Sequence, residues 1–166
     1  MNLVDNLVLK ENYTFVVLDA HGAVRPGGEH GLYNLDTRFV AGYEWRFDAD
    51  IVLLNVDSAS SSRIDFHYAE FPDSYQRMSV RRSVAVVAGG MNDELTFENT
   101  SLDQVSLTLS LAVECDFVDV FIARNRHTER ESRFAERSRE PDGSILYRYR
   151  APDSLDFATS VSWRGT

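Results

Sequence analysis

Seven charged residues in three short stretches of the sequence are the first candidates for chemistry. They are Asp36, Arg38, Arg81, Arg82, Asp116, Asp119 and Arg124. Glycoside hydrolysis needs two carboxylates that face one bond, and the spacing pairs none of these aspartates with another or with the nearby Glu114. An arginine fork binds a carboxylate through two hydrogen bonds. The residues are therefore interpreted either as an ion-pair network at one end of a sheet or as a surface for a ligand or another domain.

Histidine and cysteine are common metal ligands, and neither forms a pattern typical of a metal site. The four histidines, His21, His30, His67 and His127, stand on separate loops and strands without the short spacings of zinc ligands. Cys115 falls on the apolar side of a strand and is interpreted as a small buried side chain. Gly-x-Ser-x-Gly and phosphate-loop motifs are absent from the sequence. No metal or cofactor is expected.

Four aromatic residues offer another kind of site, because an exposed aromatic ring can stack on the apolar face of a sugar. They are Tyr33, Tyr43, Trp45 and Tyr68. Tyr43 and Trp45 are two positions apart on one predicted strand, so their side chains share a face. Aromatic pairs of this kind occur in cores as well as on binding faces, and the pattern leaves both interpretations open.

The longest regular pattern runs from Gln104 to Asn125. Apolar residues occupy every second position from Val105 to Phe117, which is the period of a strand with one buried face. We expect this strand to cross the core. At about 1.5–3 kcal/mol for each large aliphatic side chain that is fully buried, it should contribute more to stability than any other element. Its end then carries Asp116, Asp119 and Arg124.

The rest of the chain divides into short runs rich in β-branched and aromatic residues, separated by turn residues such as Pro26-Gly27-Gly28. No stretch shows the 3.6-residue apolar period of a helix. About ten strands with short connections predict an all-β antiparallel β-sandwich with little helix. Residues 124–143 are charged and almost without apolar residues, which favours a solvated loop or a short helical excursion. A length of 166 residues predicts a single domain, residues 1–166.

The composition excludes several classes of partner. A net charge of −9 argues against a nucleic-acid or anionic-membrane binder, because both need a basic surface. One cysteine cannot form a disulfide within the chain. The N-terminus lacks the pattern of a secretory signal, and no apolar run approaches the roughly 20 residues that span a bilayer. We expect a cytoplasmic protein.

Two motifs carry a resemblance to a known family. HGLYNLDTRFV, residues 30–40, resembles an HGL(F/Y)xxDTRxL signature, and CDFVDVFIAR, residues 115–124, resembles an ADFxDxFEVR segment. Three shorter stretches match in the same order: LDAHG at 18–22, VRR at 80–82 and LTFEN at 95–99. The family is the N-terminal domain of glycogen debranching enzyme-like proteins of the amylo-α-1,6-glucosidase type. Ile and Ala at positions 122 and 123 replace its usual Glu and Val.

The resemblance implies a β-sandwich that precedes an (α/α) toroid, and in such proteins the catalytic acid and base lie in the toroid. The chain should then be a non-catalytic accessory domain, the N-terminal domain of a longer protein. Its partners would be the helical catalytic domain and an α-glucan, to whose cleft this chain would lend loop residues. The surface that meets them would include Tyr33, Asp36, Arg38, Trp45, Arg81, Asp116, Asp119 and Arg124. We expect the two motif segments to lie together on a face with exposed apolar area.

Three other functions remain open at this stage. A free-standing glucan-binding module would use the four aromatic residues named above. A self-assembling domain would form a homodimer through its edge strands. A small enzyme would need Asp116 as a catalytic group, and the sequence supplies no partner for it.

Overall fold

A computed structural model describes residues 6–124 and 135–165 of the chain. Within them lie thirteen strands and one short helix. The first nine strands are β1 (Asn6–Glu11), β2 (Thr14–Asp19), β3 (Gly31–Asn34), β4 (Thr37–Val40), β5 (Gly42–Phe47), β6 (Ile51–Ser60), β7 (Arg63–Glu70), β8 (Met78–Val87) and β9 (Gly90–Asn99). There follow β10 (Leu109–Glu114), α1 (Val120–Arg124), β11 (Glu136–Arg139), β12 (Ile145–Arg150) and β13 (Asp156–Val161). The predicted all-β class with little helix is confirmed.

The strands form antiparallel sheets that follow the order of the sequence. Strands β1 to β4 make one four-stranded sheet, and β6 to β9 make a second. Strand β5 pairs with β10, and β11 to β13 form a third meander. The two four-stranded sheets contact each other where β1 and β2 meet β8. This arrangement of facing antiparallel sheets is the sandwich-like packing that short connections favour.

The main core lies between these two sheets. On one side, β2 and β3 contribute Val16, Leu18 and Leu32, and on the other β7 and β8 contribute Phe66 and Val84. All five side chains are buried. Burial of a large apolar side chain stabilises a fold by about 1.5–3 kcal/mol, so the β2–β8 contact region holds the sandwich together.

The expectation that residues 105–117 form the strand that crosses the core is wrong. Only Leu109–Glu114 is a strand, and it pairs with β5 alone. The alternation itself is present, since Leu111 and Val113 are less exposed than their polar neighbours, but they are half-buried. Their apolar face packs at the border of the main core and also lines an open groove. Alternation shows which face of a strand is apolar and does not show what covers it.

The charged stretch after Arg124 also differs from the prediction. Strand β11, whose sequence is Glu-Arg-Ser-Arg, pairs with β12 although all four of its residues are exposed. Backbone hydrogen bonds hold such an edge strand, and they leave no trace in the apolar pattern. Residues 125–134, with His127, lie outside the described residues. The one described helix, α1, has five residues, and no helix in residues 6–124 or 135–165 could cross a membrane.

Candidate functional site

A buried arginine joins the two motif segments. The Arg38 side chain on β4 is 1% exposed, and its Nε donates to Oδ1 of Asp116 at 3.1 Å while Nη2 donates to Oδ2. Its Nη1 donates to the backbone oxygens of Gly28 at 2.8 Å and His30 at 3.3 Å. Burial alone would lower the pKa of Arg38, but the bonds to Asp116 raise it above its usual value. The guanidinium therefore stays charged and holds three chain segments together.

Backbone hydrogen bonds align the same two segments. The N–H of Arg38 donates to the oxygen of Val118, and the N–H of Val120 donates to the oxygen of Asp36, both at 2.8 Å. Oδ1 of Asp119 accepts from the N–H of Phe121 at 2.7 Å in the first turn of α1, as a capping residue does. The structure thus places the Asp-Thr-Arg segment beside residues 116–124, as the sequence predicts.

A second small core supports α1. Tyr33 stacks on Phe15 with ring centroids 4.7 Å apart, and its hydroxyl donates to the oxygen of Glu29 at 2.8 Å. Burial raises the pKa of Tyr33 above its usual value. Val120 and Ala123 of α1 pack in the same cluster. Tyr33 and Arg38 are each 1% exposed, so these two predicted surface residues lie beneath the surface and position it.

The predicted single ion-pair network is wrong, because the arginines divide between two clusters. Arg81 and Arg82 are adjacent on β8 and face opposite sides: Arg81 is exposed and Arg82 is buried. Arg82 pairs with Asp93 of β9, not with an aspartate of the motif segments. Asp36 and Arg124 are exposed, and each lies at the edge of the Arg38 cluster.

Asp93, the carboxylate at the centre of the second cluster, is a residue that the sequence analysis missed. Its buried carboxylate accepts hydrogen bonds from the Tyr43 hydroxyl at 2.8 Å, from Nε1 of Trp45 at 3.0 Å and from Nε of Arg82 at 3.0 Å. Burial, followed by the charge of Asp93, raises the pKa of Tyr43 well above its usual value. The register of β8 and β9 explains why Asp93 meets Arg82. Leu95 lies opposite Arg82, so Asp93, two residues before Leu95, is a diagonal neighbour of Arg82 on the same face of the sheet.

A groove of about 990 Å³ runs beside this cluster, bounded by β3, β4, β5, β9, β10, β13 and the residues after β13. Its walls include Trp45, Phe97, Leu111 and Trp163. Trp163 is 58% exposed, and its aromatic ring was not singled out from the sequence. Of the four predicted sugar-stacking residues, Tyr33 and Tyr43 are buried, and Tyr68 and Trp45 are half-buried. Tyr43 and Trp45 line the groove.

Exposed apolar residues gather next to the two motif segments. Tyr13, Leu35 and Phe121 are all exposed, and they form what we call the apolar patch. The N–H of Leu35 donates to the oxygen of Tyr13 at 3.0 Å, and the N–H of Val120, the residue before Phe121, bonds to Asp36. These bonds place the three residues at one end of the first sheet.

Metal and thiol chemistry find no support in residues 6–124 and 135–165. No group of three or more histidine, cysteine or carboxylate residues there is placed to hold a metal ion. The free thiol of Cys115 is half-buried, and burial raises its pKa to about 12. A thiol with that pKa is almost entirely protonated at neutral pH and is a poor nucleophile.

Comparison with known protein families gives a match over most of the chain. A sequence model of the N-terminal domain of some glycogen debranching enzymes matches residues 9–165 of the chain. The matched range contains Arg38, Asp116, the apolar patch and the groove. No curated protein matches the chain.

Proposed function

The chain belongs to the family of N-terminal domains of glycogen debranching enzymes, and from that premise we propose that it is a non-catalytic accessory domain. It packs against a helical glycoside hydrolase domain of the same protein. The observation that carries this proposal is the apolar patch, which stands on the framework built by Arg38 and Asp116. Contiguous apolar groups left exposed at a surface are typical of a site for another domain.

The backbone at Leu35 supports this use of the patch. Strands β3 and β4 pair Asn34 with Thr37, so Leu35 and Asp36 form a two-residue turn, and Leu35 has a φ of 52°. Glycine, asparagine and aspartate are favoured in such a left-handed position, where a bulky residue costs roughly 1–2 kcal/mol. The leucine is also 61% exposed, so burial within this chain does not offset the cost. Contact with a partner domain would offset it.

The helix α1 presents Phe121 on a fixed base. Its neighbours Val120 and Ala123 are buried against the first sheet, whereas Phe121 is exposed. A five-residue helix has little stability of its own, and the Asp119 cap and the buried side chains hold it in place. Phe121 is therefore available to a partner with a small further loss of conformational entropy.

Two of the three aspartates of the motif segments, Asp116 and Asp119, support a non-catalytic role. Asp116 is bound to Arg38, and Asp119 caps α1. Each carboxylate serves the local structure, and hydrolysis of a glycosidic bond needs two that face the substrate. In this proposal the acid and base belong to the helical domain, and this chain adds a wall to the substrate cleft.

Calorimetric titration of the chain with the separately expressed helical domain of the same protein tests the proposal. Leu35→Asn and Phe121→Ser each remove an apolar group from the patch and should weaken the association by about tenfold or more. Leu54→Asn is the matched control, because Leu54 on β6 is similarly exposed, at 55%, and lies outside the patch. Equal losses for Leu35→Asn and Leu54→Asn, or no association of the unaltered chain, would contradict it.

A further inference from the structure

A second, smaller pocket lies on the third meander, and we propose that it binds a phosphate monoester with a flat ring, namely a nucleoside monophosphate. The pocket is lined by Arg137, Ser138 and Arg139 of β11, by Ile145 of β12 and by Trp163 after β13. The two arginines would hold the phosphate, and the Trp163 indole would stack on the ring. The site lies outside the apolar patch and the two family motifs.

The register of the meander brings these side chains to one face of the sheet. Arg139 lies opposite Ile145, and Ile145 lies opposite Val161, so these three residues share a face. Arg137, two residues before Arg139, lies on the same face, about 6.6–6.8 Å away along the strand. Trp163 follows Val161 by two residues, just beyond β13. Both guanidinium groups can therefore reach one anion beside the Trp163 ring.

Arg137 is positioned before a ligand arrives. Its Cζ lies 6.0 Å from the centre of the Tyr147 ring, and that ring is buried. The Tyr147 hydroxyl donates to the backbone oxygen of Val113 at 3.0 Å, which fixes the ring. A guanidinium that rests on an aromatic ring through its flat face keeps its N–H groups directed outward in its own plane. They stay available to a phosphate, and less conformational entropy is lost when it binds.

The charge of the two arginines is available to a ligand. Neither of them forms an ion pair with residues 6–124 or 135–165. Of the neighbouring carboxylates, Glu136 lies on the other face of β11, and Glu140 accepts from the Ser138 hydroxyl at 2.7 Å. Residues 135–165 hold five arginines and five acidic residues, so the net charge of −9 comes from the rest of the chain. The meander itself therefore does not repel an anion.

The shape and chemistry of the pocket favour a nucleotide over other anions. One arginine fork already binds both oxygens of a carboxylate, whereas a phosphate monoester offers three terminal oxygens and a charge of about −1.5 to −2 at pH 7. Trp163 is 58% exposed, and a flat heterocyclic base stacks on such a ring. The pocket volume of about 340 Å³ is near the lower end of the range for small-molecule sites, which suits one nucleotide and not a polymer.

Calorimetric titration of the whole chain with adenosine 5′-monophosphate tests the site. We expect saturable binding with a Kd of about 1 mM or lower. Arg139→Gln removes one charge and keeps a polar side chain, and it should weaken binding at least about tenfold. Arg148→Gln is the matched control, because Arg148 is exposed and lies opposite Glu136, on the other face of the same sheet. It should bind within about threefold of the unaltered chain.

Two further ligands separate the role of the phosphate from that of the ring. Ribose 5-phosphate lacks the base and adenosine lacks the phosphate, so each should bind at least about tenfold more weakly than adenosine 5′-monophosphate. Trp163→Ala should weaken binding of adenosine 5′-monophosphate and leave binding of ribose 5-phosphate unchanged.

Three results would overturn the inference. They are the absence of saturable binding, an equal loss of binding in Arg139→Gln and Arg148→Gln, and equal affinity for inorganic phosphate and adenosine 5′-monophosphate. Because Arg139 is exposed, we expect an unchanged urea transition in Arg139→Gln, and loss of binding by that folded variant supports a direct contact. Arg139→Lys keeps the charge without the fork and should bind with intermediate affinity. None of these variants alters the apolar patch, so failure of this test leaves the proposed function in place.

Discussion

Arg38 is the largest fully buried side chain among the described residues, and its charge determines how the region around it is built. Gly31 lies opposite, where an added Cβ would come within 2.5 Å of Arg38 Cδ, so a larger residue would displace the arginine. Both residues belong to the HGLYNLDTR motif, as does the buried Tyr33. The motif is thus a packing signature for a buried arginine, and this explains why it predicts the family without revealing a catalytic residue.

Removal of one member of the Arg38–Asp116 pair should be costly. We expect Asp116→Ala and Arg38→Met each to lower the free energy of unfolding by about 3 kcal/mol, because each leaves a buried charge or its partners unpaired. The double variant should lose less than the sum of the two. Urea unfolding measures all three.

The control for these three variants is Arg46→Met, which breaks an exposed ion pair with Glu44. It should lower the free energy of unfolding by less than about 1 kcal/mol. A similar loss for Arg46→Met and Arg38→Met would show that burial of the Arg38 charge has no special role. Strict additivity of Arg38→Met and Asp116→Ala would show that the two side chains do not interact.

At the scale of elements, the turn that follows β2 illustrates how one aspartate shapes the backbone. The turn ends at Val24, which forms an isolated antiparallel bridge with Tyr43 of β5. Oδ1 of Asp19 accepts from the N–H groups of His21 at 2.9 Å and Ala23 at 2.8 Å, and Oδ2 accepts from Nε of Arg25 at 2.6 Å. Gly22 adopts a φ of 78°, and an added Cβ there would lie 2.7 Å from the Phe66 ring. The Leu-Asp-Ala-His-Gly stretch therefore forms a turn that only a glycine can complete without strain.

The pH dependence of stability should report on this turn. Burial alone would raise the pKa of Asp19, but the hydrogen bonds from Ala23, Arg25 and His21 lower it below the ordinary 3.8. A carboxylate with a lowered pKa in the folded state stabilises the fold above its unfolded pKa, and this contribution is lost as the pH falls through the folded value. We expect the free energy of unfolding to fall less steeply below about pH 4 in Asp19→Asn than in the unaltered chain. If the free energy of unfolding fell equally steeply with decreasing pH in both proteins, the stabilising role of the Asp19 carboxylate would be contradicted.

The strands also show which structural features a sequence pattern can predict and which it cannot. Alternation correctly identified the apolar face of β10, but the prediction of a long strand across the core failed, because the strand has only six residues and its apolar side chains pack half-buried at the border of the core, beside the groove. Strand β11 was missed because a hydrogen-bonded edge needs no apolar residue. Asp93 was missed because its partners come from β5 and β8, and only the strand register brings them together.

At the scale of the whole molecule, the two facing sheets support an apolar patch at one end and a groove that begins beside it. The fold class was predictable, because short β-rich runs without helical periodicity leave few alternatives. The family was predictable from motifs whose residues pack around Arg38. The groove was not predictable, because its walls come from strands far apart in the sequence, and Trp163 lies beyond the last strand in a segment without a motif.

Hydrogen–deuterium exchange tests most directly whether the patch meets a helical domain. The amides of Leu35 and Val120 are bonded to Tyr13 and Asp36 at 3.0 and 2.8 Å, so they report on both sides of the patch. With the helical domain of the same protein added, we predict slower exchange in residues 12–14, 34–37 and 119–124, and less protection at the same concentration in the Leu35→Asn variant. Protection confined to other parts of the chain, such as the β6 edge, or unchanged exchange throughout, would contradict the account.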